Sequence, residues 1–182
     1  GKLQEAEVLI LKLNKIHPDS DDVLYNLGKI LFLMDRFDDA ENYMKKAVKI
    51  NPIYDRAYFD LGNIKYSQGK YNEAEESISK AIKINPDIAL YYMNLGRVIA
   101  AQGKLEKAEE IISKSILIDS KFAEAYSFLG HIQSDLGKIK ESRKSWFKAI
   151  EINPNLYDAV RTLGMRLCQE KRYDEAIKIL NN

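Results

Sequence analysis

A Leu-Gly pair returns every 34 residues along the chain, at Leu27-Gly28, Leu61-Gly62, Leu95-Gly96, Leu129-Gly130 and Leu163-Gly164. A unit this short cannot bury a core alone, so successive units must stack, and the stack presents one face again and again to a partner. The periodicity therefore predicts binding rather than chemistry.

Each of these glycines interrupts a run that otherwise reads as helix, where it costs on the order of 1 kcal/mol relative to Ala. A penalty that recurs five times implies that the missing side chain is needed. In the run from Ala57 to Tyr66, Tyr58, Leu61 and Ile64 follow helical spacing, and a second helical run from Glu73 to Ile84 carries Ala74, Ile78, Ala81 and Ile82 as its apolar stripe. Small residues at Gly62, Ala74 and Ala81 would let the two helices approach closely. Gly69 stands where a left-handed residue ends the first helix, and Asn85-Pro86 ends the second. One repeat is thus a helical hairpin. Extended over the chain, the pattern predicts eleven helices and no strand, with first helices near 22 to 34, 56 to 68, 90 to 102, 124 to 136 and 158 to 169.

These residues resemble the tetratricopeptide repeat, whose pattern is W-x2-L-G-x2-Y followed by Ala, an aromatic, Ala and Pro. Residues 55 to 88 follow it closely, with Tyr58 in the Trp place, Leu61, Gly62, Gly69, Tyr71, Ala74, Ala81 and Pro86 in register, and Ile78 for the aromatic. Residues 21 to 54, 89 to 122 and 123 to 156 repeat the phase, with Ser115 and Ser120 replacing the second Ala and the Pro in the third copy and Ser142 replacing the first Ala in the fourth. The resemblance implies an all-α fold, an α-solenoid of stacked antiparallel hairpins wound into a right-handed superhelix and forming a single domain. Residues 1 to 20 then read as the second helix of a preceding repeat, closed by Pro18, and residues 157 to 182 as a partial repeat ending at Asn182, so that the chain looks cut from a longer array. On this reading Leu3, Ile10 and Leu13 at one end, and Ile177 and Leu180 at the other, lie uncapped, and homo-association through these ends is expected.

Acidic residues slightly outnumber basic ones up to Ile88 and the reverse holds afterwards, leaving a net charge of +1. No basic footprint marks a nucleic-acid partner, and the balanced charge with a 34-residue period argues against RNA binding of the pentatricopeptide kind. Uninterrupted apolar runs such as Ile30 to Met34 are far too short to insert in a membrane. No signal segment is visible; the compartment stays open, with the cytoplasm favoured. Cys168 is the lone cysteine and His17 and His131 the two histidines, so no metal-ligand spacing exists. There is no phosphate loop, no dinucleotide fingerprint and no nucleophile elbow. No catalytic residue, metal or cofactor is expected. Acidic residues on the second helices read as a solvated face, with Glu76 placed four residues before Lys80.

The resemblance implies that first helices line the inner, concave surface. Helical spacing then selects as exposed the positions three and two before each Gly, one after it and four after it. These give Tyr25, Asn26, Lys29 and Phe32; Phe59, Asp60, Asn63 and Tyr66; Met93, Asn94, Arg97 and Ala100; and, further on, Ser127, Phe128, His131 and Ser134. Tyr25, Asn26, Lys29, Phe59, Asn63, Tyr66, Asn94, Arg97 and His131 are the candidate contacts of a peptide or partner protein, since aromatic faces, amides and cations together suit an extended segment. Asn26 and Asn94 resemble the inward asparagines of O-linked N-acetylglucosamine transferases, although Asp60, Phe128 and Thr162 interrupt the row. The carboxylate clamp of chaperone-binding members fits poorly, because Phe59, Glu124 and Phe128 occupy its key places. The expected function is an interaction scaffold that holds a peptide or partner protein in the groove. The alternative is a noncatalytic, substrate-recruiting region of a larger enzyme such as a glycosyltransferase.

Overall fold

The computed structural model describes residues 1–180, and among them forms eleven helices and no strand. In chain order they are α1 (Lys2–Ile16), α2 (Asp21–Leu33), α3 (Phe37–Ile50), α4 (Asp55–Ser67), α5 (Tyr71–Ile84), α6 (Ala89–Ala101), α7 (Leu105–Ile118), α8 (Ala123–Asp135), α9 (Ile139–Ile152), α10 (Tyr157–Gln169) and α11 (Tyr173–Leu180). First helices begin one residue earlier than the spacing predicts. The expected end of the last helix at Asn182 lies outside the described residues. Two compact units divide the chain, Gly1–Asp87 with α1 to α5 and Ile88–Asn182 with α6 to α11.

Within each hairpin the close approach follows from the helical glycine. A Cβ on Gly62 would collide with Ile78 Cγ1 and stand 3.2 Å from the Ala74 carbonyl oxygen, so α5 lies against bare α4 backbone. Gly28 faces a more pliable neighbour, with Met44 Cγ and Cε each at 3.2 Å. At Gly130 the facing group is the Trp146 ring, which is 1% exposed. The turn closing each hairpin needs one left-handed residue: Gly69, Gly103 and Gly137 take φ of 73°, 79° and 74°, while Asp35 and Lys171 reach 58° and 60° without glycine's freedom.

In the first unit Leu24, Leu27, Leu31, Met44, Leu61 and Ile64 form the core between α2, α3 and α4. Successive hairpins are also tied by polar side chains. Lys65 on α4 is 4% exposed, and its Nζ sits 2.7 Å from both Glu41 of α3 and Glu73 of α5. Burial lowers the Lys65 pKa, but the bonds to Glu41 and Glu73 outweigh it and hold the ammonium above its usual range. Burial likewise pushes the Glu41 carboxyl up, and hydrogen bonds from Lys45 and Lys65 overcome that push and hold it at about 2. Asn51 and Asn85, the residues that end α3 and α5, donate to Asp21 and Asp55 at the starts of α2 and α4, over 2.7 and 3.1 Å.

The second unit packs Met93, Ile99, Ile112, Leu129 and Ile132 in one cluster and Trp146, Ala149, Leu163, Leu167 and Ile179 in another. Gln133 of α8 takes the Lys65 place in the repeat; it donates to Glu109 and accepts from the Ser145 hydroxyl at 2.7 Å. The surface pair expected on α5 is present, with Lys80 Nζ 2.8 Å from Glu76. At the end of the described chain Leu180 leans toward Gly164 within its own hairpin yet is 52% exposed, and Ile177 is 57% exposed.

Candidate functional site

The candidate contacts sit on the first helices, α2 and α4 in one unit and α6 and α8 in the other. Several are less exposed than single-helix spacing predicts. Tyr25, Met93, Asn94 and Ser127 are buried, because neighbouring first helices, α2 with α4 and α6 with α8, pack side by side and cover the position three before the Gly. At Asn94 the position two before the Gly is covered as well.

On the first unit three of the predicted residues converge on one that the prediction left out. Tyr25 Oη donates to Asp60 Oδ2 at 2.9 Å across the α2–α4 seam, Asn63 hydrogen-bonds the same carboxylate, and the Lys29 charge acts on it. Lys29 Nζ lies 5.8 Å from the centre of the Tyr25 ring, which in turn packs 5.0 Å from Tyr54. Burial is the dominant influence on Asp60 and raises its pKa, against the opposing pull of Tyr25, Lys29, Asn63 and Arg56. Burial and then the adjacent Asp60 charge push the Tyr25 phenol well above its ordinary range, so it acts as a donor throughout the physiological range. Asn26 is exposed and donates to the Asp22 carbonyl of its own helix at 2.7 Å. Phe59 and Tyr66 are half-buried, and the Tyr66 ring packs 5.5 Å from Tyr71 in the same hairpin.

On the second unit Asn94 donates to the Leu90 carbonyl at 3.0 Å, and its side-chain oxygen accepts from Arg97 over the same distance. His131 Nε2 stands 2.7 Å from Asp158 Oδ2, tying α8 to α10, and Arg161 reaches the other oxygen of that carboxylate at 3.3 Å. Burial raises the Asp158 pKa, but the His131 bond and the Arg161 charge together hold it below the usual range. Arg166 donates to Ser134 at 2.7 Å across the same pair of helices. His131 therefore belongs with Asp158, Arg161, Ser134 and Arg166, and Asn94 pairs with Arg97.

Asp60 and Asp158 are the residues that sequence reasoning undervalued. Asp60 was visible as an inner position and read only as a break in the asparagine row. Asp158 lies three residues before Arg161 and six before Gly164, on the same helical stripe, so the i to i+3 rule applied one turn earlier reaches it. Among the described residues no group of three or more His, Cys, Asp or Glu side chains is placed to hold a metal ion, and no helix is long and apolar enough to cross a membrane.

Sequence profiles described as tetratricopeptide repeat match residues 55–88, residues 21–54, and both 89–122 and 123–156. No curated protein sequence matches the chain. Among solved structures, MamA superposes with a TM-score of 0.73 at 24% identity, covering 85% of this chain and 91% of that one. PilF of Pseudomonas aeruginosa superposes with a TM-score of 0.84 at 20% identity, over 97% of this chain and 80% of its own. YrrB, described as a TPR protein with an unusual peptide-binding site, gives 0.69 at 18% identity over 94% and 89%. These likenesses concern the fold. With four full repeats matched in the phase of the Leu-Gly pairs and the close helix approach at Gly62 accounting for that pair, the chain belongs to the tetratricopeptide repeat family.

Proposed function

We propose that the chain holds an extended peptide segment of a partner protein on its first-helix face. Family membership supports a protein-interaction scaffold in general, and the peptide-binding site in the description of YrrB supports a peptide as one form of ligand. The observation that carries the finer reading is the convergence of Tyr25, Asn63 and Lys29 on Asp60. Side chains already ordered by such a hub lose less conformational freedom when a ligand arrives, which favours binding.

On the first unit Lys29, Asn26 and Asn63 supply polar contacts to the peptide backbone, while Phe59 and Tyr66 supply apolar ones and the buried Tyr25 holds Asp60 in place. On the second unit Arg97 and His131 offer the same chemistry, and the buried Asn94 orients Arg97. Balanced charge on the chain does not favour a nucleic-acid ligand.

Ordering a flexible peptide offsets much of the contact energy, so affinity should be modest, on the order of micromolar, about −8 kcal/mol. The test is calorimetry with a peptide selected on the intact chain. An Asn63→Ala, Arg97→Ala double variant should bind about tenfold or more weakly, a loss of about 1.4 kcal/mol. Intact binding in that variant, together with loss in a Lys80→Ala, Lys114→Ala variant of the second helices, would overturn the assignment.

A further inference from the structure

The imidazole of His131 is held on one nitrogen and open on the other. Nε2 stands 2.7 Å from Asp158 Oδ2, which also lies 3.5 Å from the Ser127 hydroxyl, while Arg161 reaches the other carboxylate oxygen. Burial raises the Asp158 carboxyl, yet the His131 and Arg161 contacts hold it below its usual range, so it is ionised and only accepts. A contact of 2.7 Å to an acceptor-only group requires the proton on Nε2. In the neutral ring Nδ1 is then bare and accepts a hydrogen bond; protonation turns it into a donor.

Nδ1 has no hydrogen-bond partner among the described residues and is not one of their buried unpartnered atoms, so it meets solvent on a side chain 33% exposed. The Trp146 ring of α9 packs against the imidazole with centroids 5.4 Å apart and planes at 70°. Turning the imidazole over would set a carbon against Asp158, so the tie to α10 decides which nitrogen stays open. Helix α6 packs beside α8 on one side and α10 is bonded to it on the other, so this opening belongs to the face and not to an end of the stack. The charged groups that these flanking helices bring to the face are Arg97 of α6 and Asp158, Arg161 and Arg166 of α10; Asp135 stands one turn along α8, and α9 turns Trp146 to it. Three guanidiniums disfavour an ammonium or guanidinium donor, and a neutral amide N–H is the donor this setting accepts.

Resting on the first-helix face as the place where a peptide binds, we propose that His131 Nδ1 accepts a hydrogen bond from one backbone amide N–H of that peptide, and that protonation of the ring abolishes the contact. Arg97 is a donor and matches peptide carbonyls; His131 supplies the opposite polarity on the same face. The contact selects by chemistry, because a proline or an N-methylated residue at that place of the peptide has no hydrogen to give. Asp158 and Trp146 act through His131: one sets its tautomer and the other its orientation.

Nitrogen-15 resonances of the histidine rings in the full chain test the tautomer without any ligand. His131→Gln identifies the signals, and circular dichroism confirms that each variant keeps its helix content. At about pH 8 the ring should carry hydrogen on Nε2 and a bare Nδ1; the opposite tautomer would overturn the proposal. Calorimetry then uses a peptide selected on the intact chain at that pH and resynthesised with each backbone amide methylated in turn. One methylation should weaken binding to the parent about fivefold and leave binding to His131→Phe unchanged, since that variant keeps an aromatic ring against Trp146 and has no acceptor. Lowering the pH to about 5.5 should weaken the parent by a similar factor relative to His131→Phe. If no methylation acts through His131, or if the parent-to-variant ratio stays constant with pH, the proposal fails while capture of the peptide leaves the first-helix reading standing. A chain with Nδ1 bare that captures no peptide would overturn the first-helix reading and this proposal with it.

Discussion

Gly62 illustrates how a single absent side chain sets the geometry of a hairpin. Placing Ala there gains up to about 1 kcal/mol in helix propensity but forces Ile78 away from α4. Overpacking of this kind costs about 1 to 3 kcal/mol. At Gly28 the facing residue is Met44, whose unbranched chain can move aside. Gly62→Ala should therefore destabilise the chain by about 1 to 2 kcal/mol, while Gly28→Ala stays within about 0.5 kcal/mol of the parent. Urea titration of both variants reads the difference, and equal stability would contradict the close-approach account. These glycines were legible in the sequence because a local penalty repeated on schedule needs a tertiary cause. The burial of Tyr25 and Asn94 was not, since it depends on a neighbouring first helix that the spacing within one helix does not record.

Between elements, the ion group joining α3, α4 and α5 gives a pH-dependent contribution whose direction is fixed. Glu41 titrates at about 2 in the folded chain against an ordinary 4.5, so its contribution is complete above about pH 4.5 and is lost as pH falls toward 2. Glu41→Gln leaves Lys65 buried with Glu73 as its remaining partner, and should cost about 2 kcal/mol at neutral pH and much less near pH 2. Thermal unfolding across that window checks it; a constant difference between parent and variant would contradict the assignment. The first helices were readable to within one residue at their starts, because Asn-Pro junctions and Leu-Gly pairs punctuate the chain, whereas α5 begins at Tyr71, two residues before the run expected from Glu73. The polar ties were not readable, since Lys65 stands where Leu31, Ile99 and Leu167 occupy other repeats, and one sequence does not say that two acids will meet it.

For the whole molecule, a 34-residue period was enough to reach the family, because a repeat unit carries its packing rules with it and four copies restate them. The first-helix face proposed to bind was legible as a phase, and its chemistry only in part: Tyr25, Lys29 and Asn63 were named as separate contacts, while the carboxylate of Asp60 that gathers them became visible through packing across two helices. The claim that the first helices carry the ligand is tested most directly by amide hydrogen exchange of the intact chain with and without a peptide selected on it from a random library. Protection should gather on α2 and α4, and extend to α6 and α8. Protection confined to α3, α5, α7 and α9 would contradict the account.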